Sequence, residues 1–338
     1  MPELAQQPDF LAIVDLIRES RRKALRAVNT HLIDLYWNVG EYVSKQIASG
    51  SWGDAVVTNL AEFIAKTEPG TRGFSDKNLW RMRQFYETYR DEPKLSPLVR
   101  EISWTHNLII LNRCRTVEER EFYLKLCAKE GYSKRELDRQ ISASVFERTL
   151  IGNQKLSPLL RELHPAIDGA FRDSYVFEFL NLPEPHSEGD LQRALIAQLR
   201  GFILELGKDF LFVGDEYRLQ VGNSDFFADL LFYHRELRCL VLFELKTDKF
   251  RPEFIGKLNF YLEALDRDVK KESENPSIGI LLCRDKDETV VEYALARNMS
   301  PAMIADYQTK LPDKKLLAAK LKEFTSTLEE AAEIEALT

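Results

Sequence analysis

The chain has 338 residues, of which 44% are hydrophobic and 30% charged, which is typical of a globular protein long enough for two domains. The formal net charge of −7 excludes a protein that coats nucleic acid through a general positive charge, so any such contact must come from local basic patches. No apolar run is long enough to cross a bilayer, and the scattered cysteines (Cys114, Cys127, Cys239 and Cys283) are typical of reduced core thiols. The sequence therefore predicts a cytoplasmic protein without a membrane partner.

Residues 1–150 predict an all-α domain. Apolar residues recur at helical spacing between Phe10 and Ser44, which predicts one long amphipathic helix or a broken pair of helices. Ser75 is a favourable N-cap for a later helix. The predicted buried stripe of that later helix consists of Leu79, Met82, Phe85, Tyr86 and Tyr89.

The opposite face of this later helix carries side chains suited to DNA, namely Lys77, Asn78, Arg81 and Gln84. A second unit, residues 131–141, repeats the turn, the serine cap and the basic helix, with Lys134 and Arg135 as candidate contacts. The segment from Arg72 to Arg148 contains sixteen Lys or Arg residues and twelve Asp or Glu residues, so its charge is locally positive within an acidic chain. These features predict a helix-turn-helix-like DNA contact; a solvated face of an ordinary helical domain is the alternative that the residues leave open.

A boundary region follows at residues 151–187, interpreted as a linker with a packed arm, because Pro183 and Pro185 cannot continue a helix. Ser187 and Asp190 predict a capping box that starts a helix over 191–206. Strands are predicted next over 210–213 and 217–221. Residues 252–266 then predict a helix, residues 277–283 a buried strand, and residues 289–297 a further helix.

The most informative stretch is a predicted β-hairpin with strands at 226–233 and 239–246. Its second strand begins as an apolar run typical of a central strand, but ends with Glu244 and Lys246 where further apolar residues would continue the core. Asp229 interrupts the neighbouring strand in the same way. Because Mg²⁺ is commonly held by one or two carboxylates, these residues predict a divalent-metal site with a lysine beside it. A structural salt bridge between Glu244 and Lys246 is the alternative.

At these residues the sequence resembles the PD-(D/E)xK nuclease superfamily, and more closely the bacterial YhcG-type nucleases. The resemblance extends over nearly the whole chain, including 226–232, 240–246, 259–266, 275–280 and 291–295, and in the first half 36–37, 73–75, 78–79, 82–86 and 104–106. It implies an α+β protein in which the helical domain precedes a restriction-endonuclease-like α/β domain with a mixed sheet, at residues 188–312. It also implies that Asp229 and Glu244 bind Mg²⁺ or Mn²⁺ and that Lys246 is the catalytic lysine.

Two departures from the pattern concern the same site. Related nucleases often carry Gln-x-x-x-Tyr on the helix after the E-x-K strand, where this chain has Lys257 and Tyr261, which we expect to orient the substrate. They also carry a glutamate on the helix before the sheet, where this chain has Gln192. The further acid would then be Glu205, a candidate third metal ligand, or Glu188. The number of metal ions stays open.

The resulting hypothesis is a metal-dependent endodeoxyribonuclease with DNA as its partner, acting in DNA processing or in defence against foreign DNA, with association with other proteins of those pathways. A DNA-binding or partner-recruiting protein with a weakened or inactive nuclease fold is the alternative, and an RNA-directed nuclease is a third. Residues 313–338 predict a C-terminal helix with an apolar side that packs on the nuclease domain or pairs with a second subunit. A homodimer would place two active sites on the two strands of a duplex.

Overall fold

The computed structural model describes residues 8–152, 154–165, 167 and 169–323, apart from the side chains of residues 8, 9, 11 and 54. It divides into two compact units, Met1–Asp138 and Arg139–Thr338. We call them the helical unit and the sheet unit. In the described part of the chain, no helix has the length and apolar character required to cross a membrane.

The helical unit contains no strand within its described residues. Its elements are α1 (Pro8–Ala48), α2 (Asp54–Thr67), α3 (Asp76–Tyr89), α4 (Ser96–Glu101), α5 (Trp104–Arg113) and α6 (Val117–Glu130), and α7 (Lys134–Ser142) crosses into the sheet unit. The predicted long helix is thus a single element, α1. Ser75 caps α3 as predicted, since its side chain accepts a hydrogen bond from the Asn78 N–H.

The core of the helical unit lies where α1 packs against α3. Leu79 and Met82 of α3 are fully buried and pack with Tyr36 and Val43 of α1. Gly40 permits this close approach, because a Cβ atom there would lie 2.1 Å from the Met82 carbonyl oxygen. Any other residue at this position would push the two helices apart.

The sheet unit contains the remaining elements. These are α8 (Val145–Ile151), β1 (Lys155–Leu156), α9 (Pro158–Leu163), β2 (Ser174–Val176), a 3₁₀ helix (Glu178–Leu180), α10 (Glu188–Ala197), α11 (Leu199–Leu206), β3 (Phe210–Val221), β4 (Ser224–His234), β5 (Cys239–Leu245), α12 (Phe254–Asp268), β6 (Ile278–Cys283), α13 (Glu288–Leu295) and β7 (Ala302–Gln308).

The seven strands of the described residues form one mixed sheet. Its order is β1-β7-β6-β5-β4-β3, and β2 also pairs with β7. Strands β3, β4 and β5 are antiparallel, whereas β5, β6 and β7 are parallel. Every residue of β5 and β6 is buried, as expected for central strands covered on both faces. Helices α10 and α11 pack on one face, and α12 and α13 pack on the other.

This architecture confirms the predicted fold class, a helical region followed by a mixed-sheet domain. The predicted hairpin is β4 and β5, and the predicted capping box is present at Ser187. The two strands predicted at 210–221 are one strand, β3, with an irregular register between Phe212 and Gly214. The helix predicted over 191–206 is interrupted at Gln198, where α10 ends and α11 begins.

Two further differences concern the ends of the nuclease region. The segment interpreted as linker and arm supplies β1 and β2 to the sheet, and β7 was not predicted at all. Residues 314–323 are helical, in agreement with the predicted C-terminal helix. Residues 324–338, which include the acidic end of the predicted helix, lie outside the described residues.

Candidate active site

Asp229 and Glu244 lie next to each other where β4 and β5 cease to pair. The register of the two strands runs from His234↔Cys239 to Leu230↔Phe243, and Asp229 and Glu244 are the next residues on either strand. At this point the Leu245 N–H donates to Asp229 Oδ2 at 2.8 Å. A carboxylate thus replaces the next ladder bond, and both acids are held at one end of the strand pair.

Glu244 is fully buried and has two cationic partners. Its Oε1 accepts hydrogen bonds from Lys257 Nζ at 2.6 Å and from Lys246 Nζ at 3.2 Å. Its Oε2 has no hydrogen-bond partner among the described residues. A buried carboxylate oxygen without a donor is costly, so this atom marks a position where a further ligand would be stabilised.

The charges at the site perturb one another. Burial and the negative charge of Glu244 raise the pKa of Asp229 to about 6, against the opposing effects of the Leu245 N–H and of Lys257 and Lys246. Burial by itself would lower the pKa of Lys246 and of Lys257, but contacts with Glu244, joined at Lys246 by those with Glu188, outweigh it, and both pKa values are raised. Both lysines therefore remain cationic at neutral pH and compensate the paired carboxylates.

Lys246 is held in place by groups from three elements, α10, β5 and α12. Its Nζ donates to Glu188 Oε2 at 3.0 Å and to the Leu245 carbonyl at 2.7 Å, and it lies 5.7 Å from the centre of the Phe254 ring. Glu188 belongs to the first turn of α10, whose start is fixed by the Ser187 capping box. Glu188 is thus the acid of α10 that the structure brings to the site.

The expectation that Glu205 is a metal ligand is corrected by the structure. Glu205 is fully buried in a cluster that we call the arginine cluster. Its Oε1 contacts Arg148 and Arg172, and its Oε2 contacts Arg139. Burial alone would raise the pKa of Glu205, but the guanidinium groups and the Val176 N–H outweigh burial and lower it to about 2. Its oxygens are engaged by cations, so its role is structural.

Tyr261, which keeps the family pattern, and Gln192, which departs from it, support β4 from either side. Tyr261, expected to orient substrate, is buried, and its hydroxyl donates to the Phe227 carbonyl at 2.9 Å. The Gln192 side chain donates to the Asp229 carbonyl at 3.0 Å. Both side chains hold the backbone on which Asp229 is mounted. Lys257, in contrast, reaches Glu244 directly.

The donor set fits a hard divalent cation. Asp229 and Glu244 supply carboxylate oxygens, and Glu244 Oε2 is the buried oxygen without a donor. Mg²⁺ and Mn²⁺ take oxygen ligands, and Mg²⁺ commonly uses only one or two protein carboxylates. Within the described ranges, no group of three or more His, Cys, Asp or Glu side chains is arranged to hold a metal ion.

The predicted DNA-contact residues of the helical unit fall into two groups. Lys77, Arg81 and Gln84 are exposed on α3. Asn78 is buried instead, because its amide donates to the Gly73 carbonyl and accepts a hydrogen bond from Trp104 Nε1 at 3.0 Å. The expectation that Asn78 contacts DNA is therefore wrong.

The second predicted basic helix, at residues 131–141, also has exposed cations. Lys134 and Arg135 are exposed in the first turn of α7.

Comparison with known proteins gives a consistent assignment for both halves of the chain. Residues 168–322 match the model of the YhcG PDDEXK nuclease domain, and residues 12–148 match that of the DUF1016 N-terminal domain. The Escherichia coli (strain K12) protein named "Putative nuclease YhcG" is 32% identical, and the alignment covers 94% of each chain. The chain belongs to the YhcG family of PDDEXK nucleases. The resemblance inferred from its sequence is confirmed.

Two solved structures match part of this chain. A repair endonuclease from Pyrococcus abyssi is 14% identical over 39% of this chain, with a TM-score of 0.26, and EndoMS in its apo form is 16% identical over 39%, with a TM-score of 0.24. The matched region spans about half the length of each of these structures.

Proposed function

We propose that this member of the YhcG family is an endodeoxyribonuclease that requires Mg²⁺ or Mn²⁺. The observation that supports the proposal most strongly is the position of Asp229 and Glu244 next to each other, directly beyond the last pair of β4 and β5, with a buried Glu244 oxygen that has no donor among the described residues. Two lysines beside these acids supply the positive charge that a phosphodiester substrate requires.

In this proposal Asp229 and Glu244 hold the metal ion. The bound ion would lower the pKa of a coordinated water and neutralise charge on the phosphodiester. Lys246, fixed by Glu188, is suited to position the nucleophilic water or the scissile phosphate as a point charge. Gln192 and Tyr261 hold the backbone of β4, so that the carboxylate of Asp229 meets that of Glu244.

DNA is the proposed substrate, and the helical unit its binding module. Support comes from the exposed cations of α3 and α7, namely Lys77, Arg81, Lys134 and Arg135, with Gln84 beside them. We assign the enzyme to DNA processing or to defence against foreign DNA, in the cytoplasm. A homodimer, in which two sites cut the two strands of a duplex, belongs to the same proposal.

The test is nicking of a supercoiled plasmid in Mg²⁺ or Mn²⁺, with EDTA as the metal-free condition. Asp229→Asn, Glu244→Gln and Lys246→Ala should each reduce the rate by at least about 100-fold. Glu263→Gln is the matched control, since Glu263 is an exposed acid on α12. Activity that persists in EDTA, or equal rates in wild type and all three site variants, would refute the proposal.

A second candidate function follows from Lys257. Its ammonium lies 2.6 Å from Glu244 Oε1 and competes with a metal ion for that oxygen. A protein whose cation permanently replaces the metal would bind DNA without cutting it. Wild-type DNA affinity that is unaffected by EDTA, with no nicking at any Mg²⁺ or Mn²⁺ concentration, would favour this binding function. An affinity lost in Arg81→Ala and Lys134→Ala would place the contact on the helical unit.

A further inference from the structure

One edge of the sheet collects cations from three neighbouring strands. Strands β5, β6 and β7 are parallel, so their carboxyl ends meet at the same edge. Lys246 directly follows β5, Arg284 directly follows β6, and Thr309 and Lys310 directly follow β7. The active-site lysine is thus the first member of a row that continues for two more strands, about 10 Å along the edge.

A cavity lies at the far end of this row. Its volume is about 210 Å³, and its lining includes Arg284, Thr309, Lys310 and Glu184. The Glu184 carboxylate accepts a hydrogen bond from Thr309 Oγ1 at 2.8 Å and lies 3.4 Å from both Arg284 and Lys310. The interactions with Thr309 and Lys310 lower the pKa of Glu184, so its carboxyl group is an anion at neutral pH.

The same acidic segment also reaches the active site. Glu184 and Glu188 are four residues apart in the segment that leads into α10. Glu188 binds Lys246 at the end of β5, while Glu184 binds Arg284 at the end of β6. Two carboxylates of one segment therefore neutralise cations on adjacent strands of the edge.

We propose that Arg284, Thr309 and Lys310 form a phosphate subsite for the nucleic-acid strand, and that Glu184 occupies it until the substrate displaces this carboxylate. An arginine, a lysine and a hydroxyl donor around one anion match the requirements of a backbone phosphate. This subsite rests on the proposed nuclease function and adds to it a path for the substrate. A nucleic-acid strand bound there would run away from Lys246 along the sheet edge.

The test measures binding separately from cleavage. Wild type, Arg284→Ala, Lys310→Ala and Glu184→Gln are compared by fluorescence anisotropy with a labelled duplex and a labelled single strand, in EDTA and over a series of salt concentrations. Lys271→Ala is the matched cation control, because Lys271 is exposed before the start of β6, at the opposite edge of the sheet. Glu263→Gln is the matched control for the loss of an acid.

The proposal expects opposite effects from the two kinds of variant. Arg284→Ala and Lys310→Ala should each weaken binding about threefold or more and lower the salt slope by about 0.9. Glu184→Gln should strengthen binding, since the competing anion is removed. Because Lys310 has a side chain that is 79% exposed, its variant tests the subsite without a threat to the fold.

Two outcomes of the binding measurements would contradict the phosphate subsite. Binding by Lys310→Ala equal to that of Lys271→Ala, or binding by Glu184→Gln no tighter than that of Glu263→Gln, would reduce the cluster to a structural salt bridge and overturn the proposal. These outcomes do not depend on cleavage, so a chain that fails to nick plasmid can still pass or fail this test.

Discussion

Replacing Glu205 by glutamine tests the arginine cluster with almost no change in side-chain size. Glu205 lies 3.0 Å from Arg139, 3.0 Å from Arg172 and 3.3 Å from Arg148. The three arginine side chains are at most 17% exposed. In Glu205→Gln, three largely buried cations lose their shared anion, which is the costly way to break a buried ion pair.

The magnitude follows from the pKa. A shift from the ordinary value of 4.5 to about 2 corresponds to about 3 kcal/mol of stability at neutral pH, and removal of one member of a buried ion pair typically costs about 3–5 kcal/mol. Because the pKa is lower in the folded state, this stabilisation is fully present above the ordinary value. It is lost as the pH falls from 4.5 towards 2.

The assay is urea-induced unfolding followed by far-UV circular dichroism, at neutral pH and at several values below 4.5. Hydrogen exchange, read by peptide, should localise the loss of protection to Arg139–Thr338. Glu263→Gln makes the same chemical change at a surface site that is 62% exposed, and should change the free energy of unfolding by less than about 0.5 kcal/mol. A neutral-pH loss below about 1 kcal/mol, or a gap from wild type that widens on acidification, would refute the reasoning.

Three further predictions concern single contacts. Tyr261→Phe removes the hydroxyl of the buried Tyr261, which donates to the Phe227 carbonyl, and should cost about 1 kcal/mol in urea unfolding; an unchanged midpoint would contradict this role. Asn78→Ala should destabilise the helical unit by about 1–3 kcal/mol, whereas the exposed neighbour variant Lys77→Ala should have nearly no effect; equal midpoints for the two variants would show that Asn78 is not structural. Lys257→Ala removes a cation that competes for Glu244, so half-maximal nicking should need severalfold less Mn²⁺; a higher Mn²⁺ requirement would contradict the competition.

The parts of the fold that could be predicted carry their signal locally. The hairpin of β4 and β5 was visible because apolar runs alternate with a short polar turn, and the acids interrupt these runs at the positions where pairing ends. The capping box of Ser187 and Asp190, which spans four residues, predicts the start of α10. Such patterns depend on neighbours in the sequence, so one chain is enough to read them.

The parts that were missed depend on contacts between distant segments. Strand β1 has two residues and pairs with β7, nearly 150 residues later, so no local periodicity in the sequence marks this pairing. Glu205 looked like a ligand because it lies on a helix before the sheet, but its partners come from positions 139, 148 and 172. Asn78 lies at the border of the polar face of α3. Its burial depends on the hydrogen bond from Trp104, which is 26 residues later in the chain.

The arginine cluster also decides where the catalytic half of the chain can be separated from the rest. Arg139, Arg148 and Arg172 all precede α10, yet they compensate an acid of α11. A fragment that starts at 188 would enclose a lone anion and would lack β1 and β2, so it should fail to accumulate as a soluble product. A fragment that starts at 139 keeps all three arginine counter-ions and every strand that the structure describes. We therefore expect this longer fragment to express as a soluble protein.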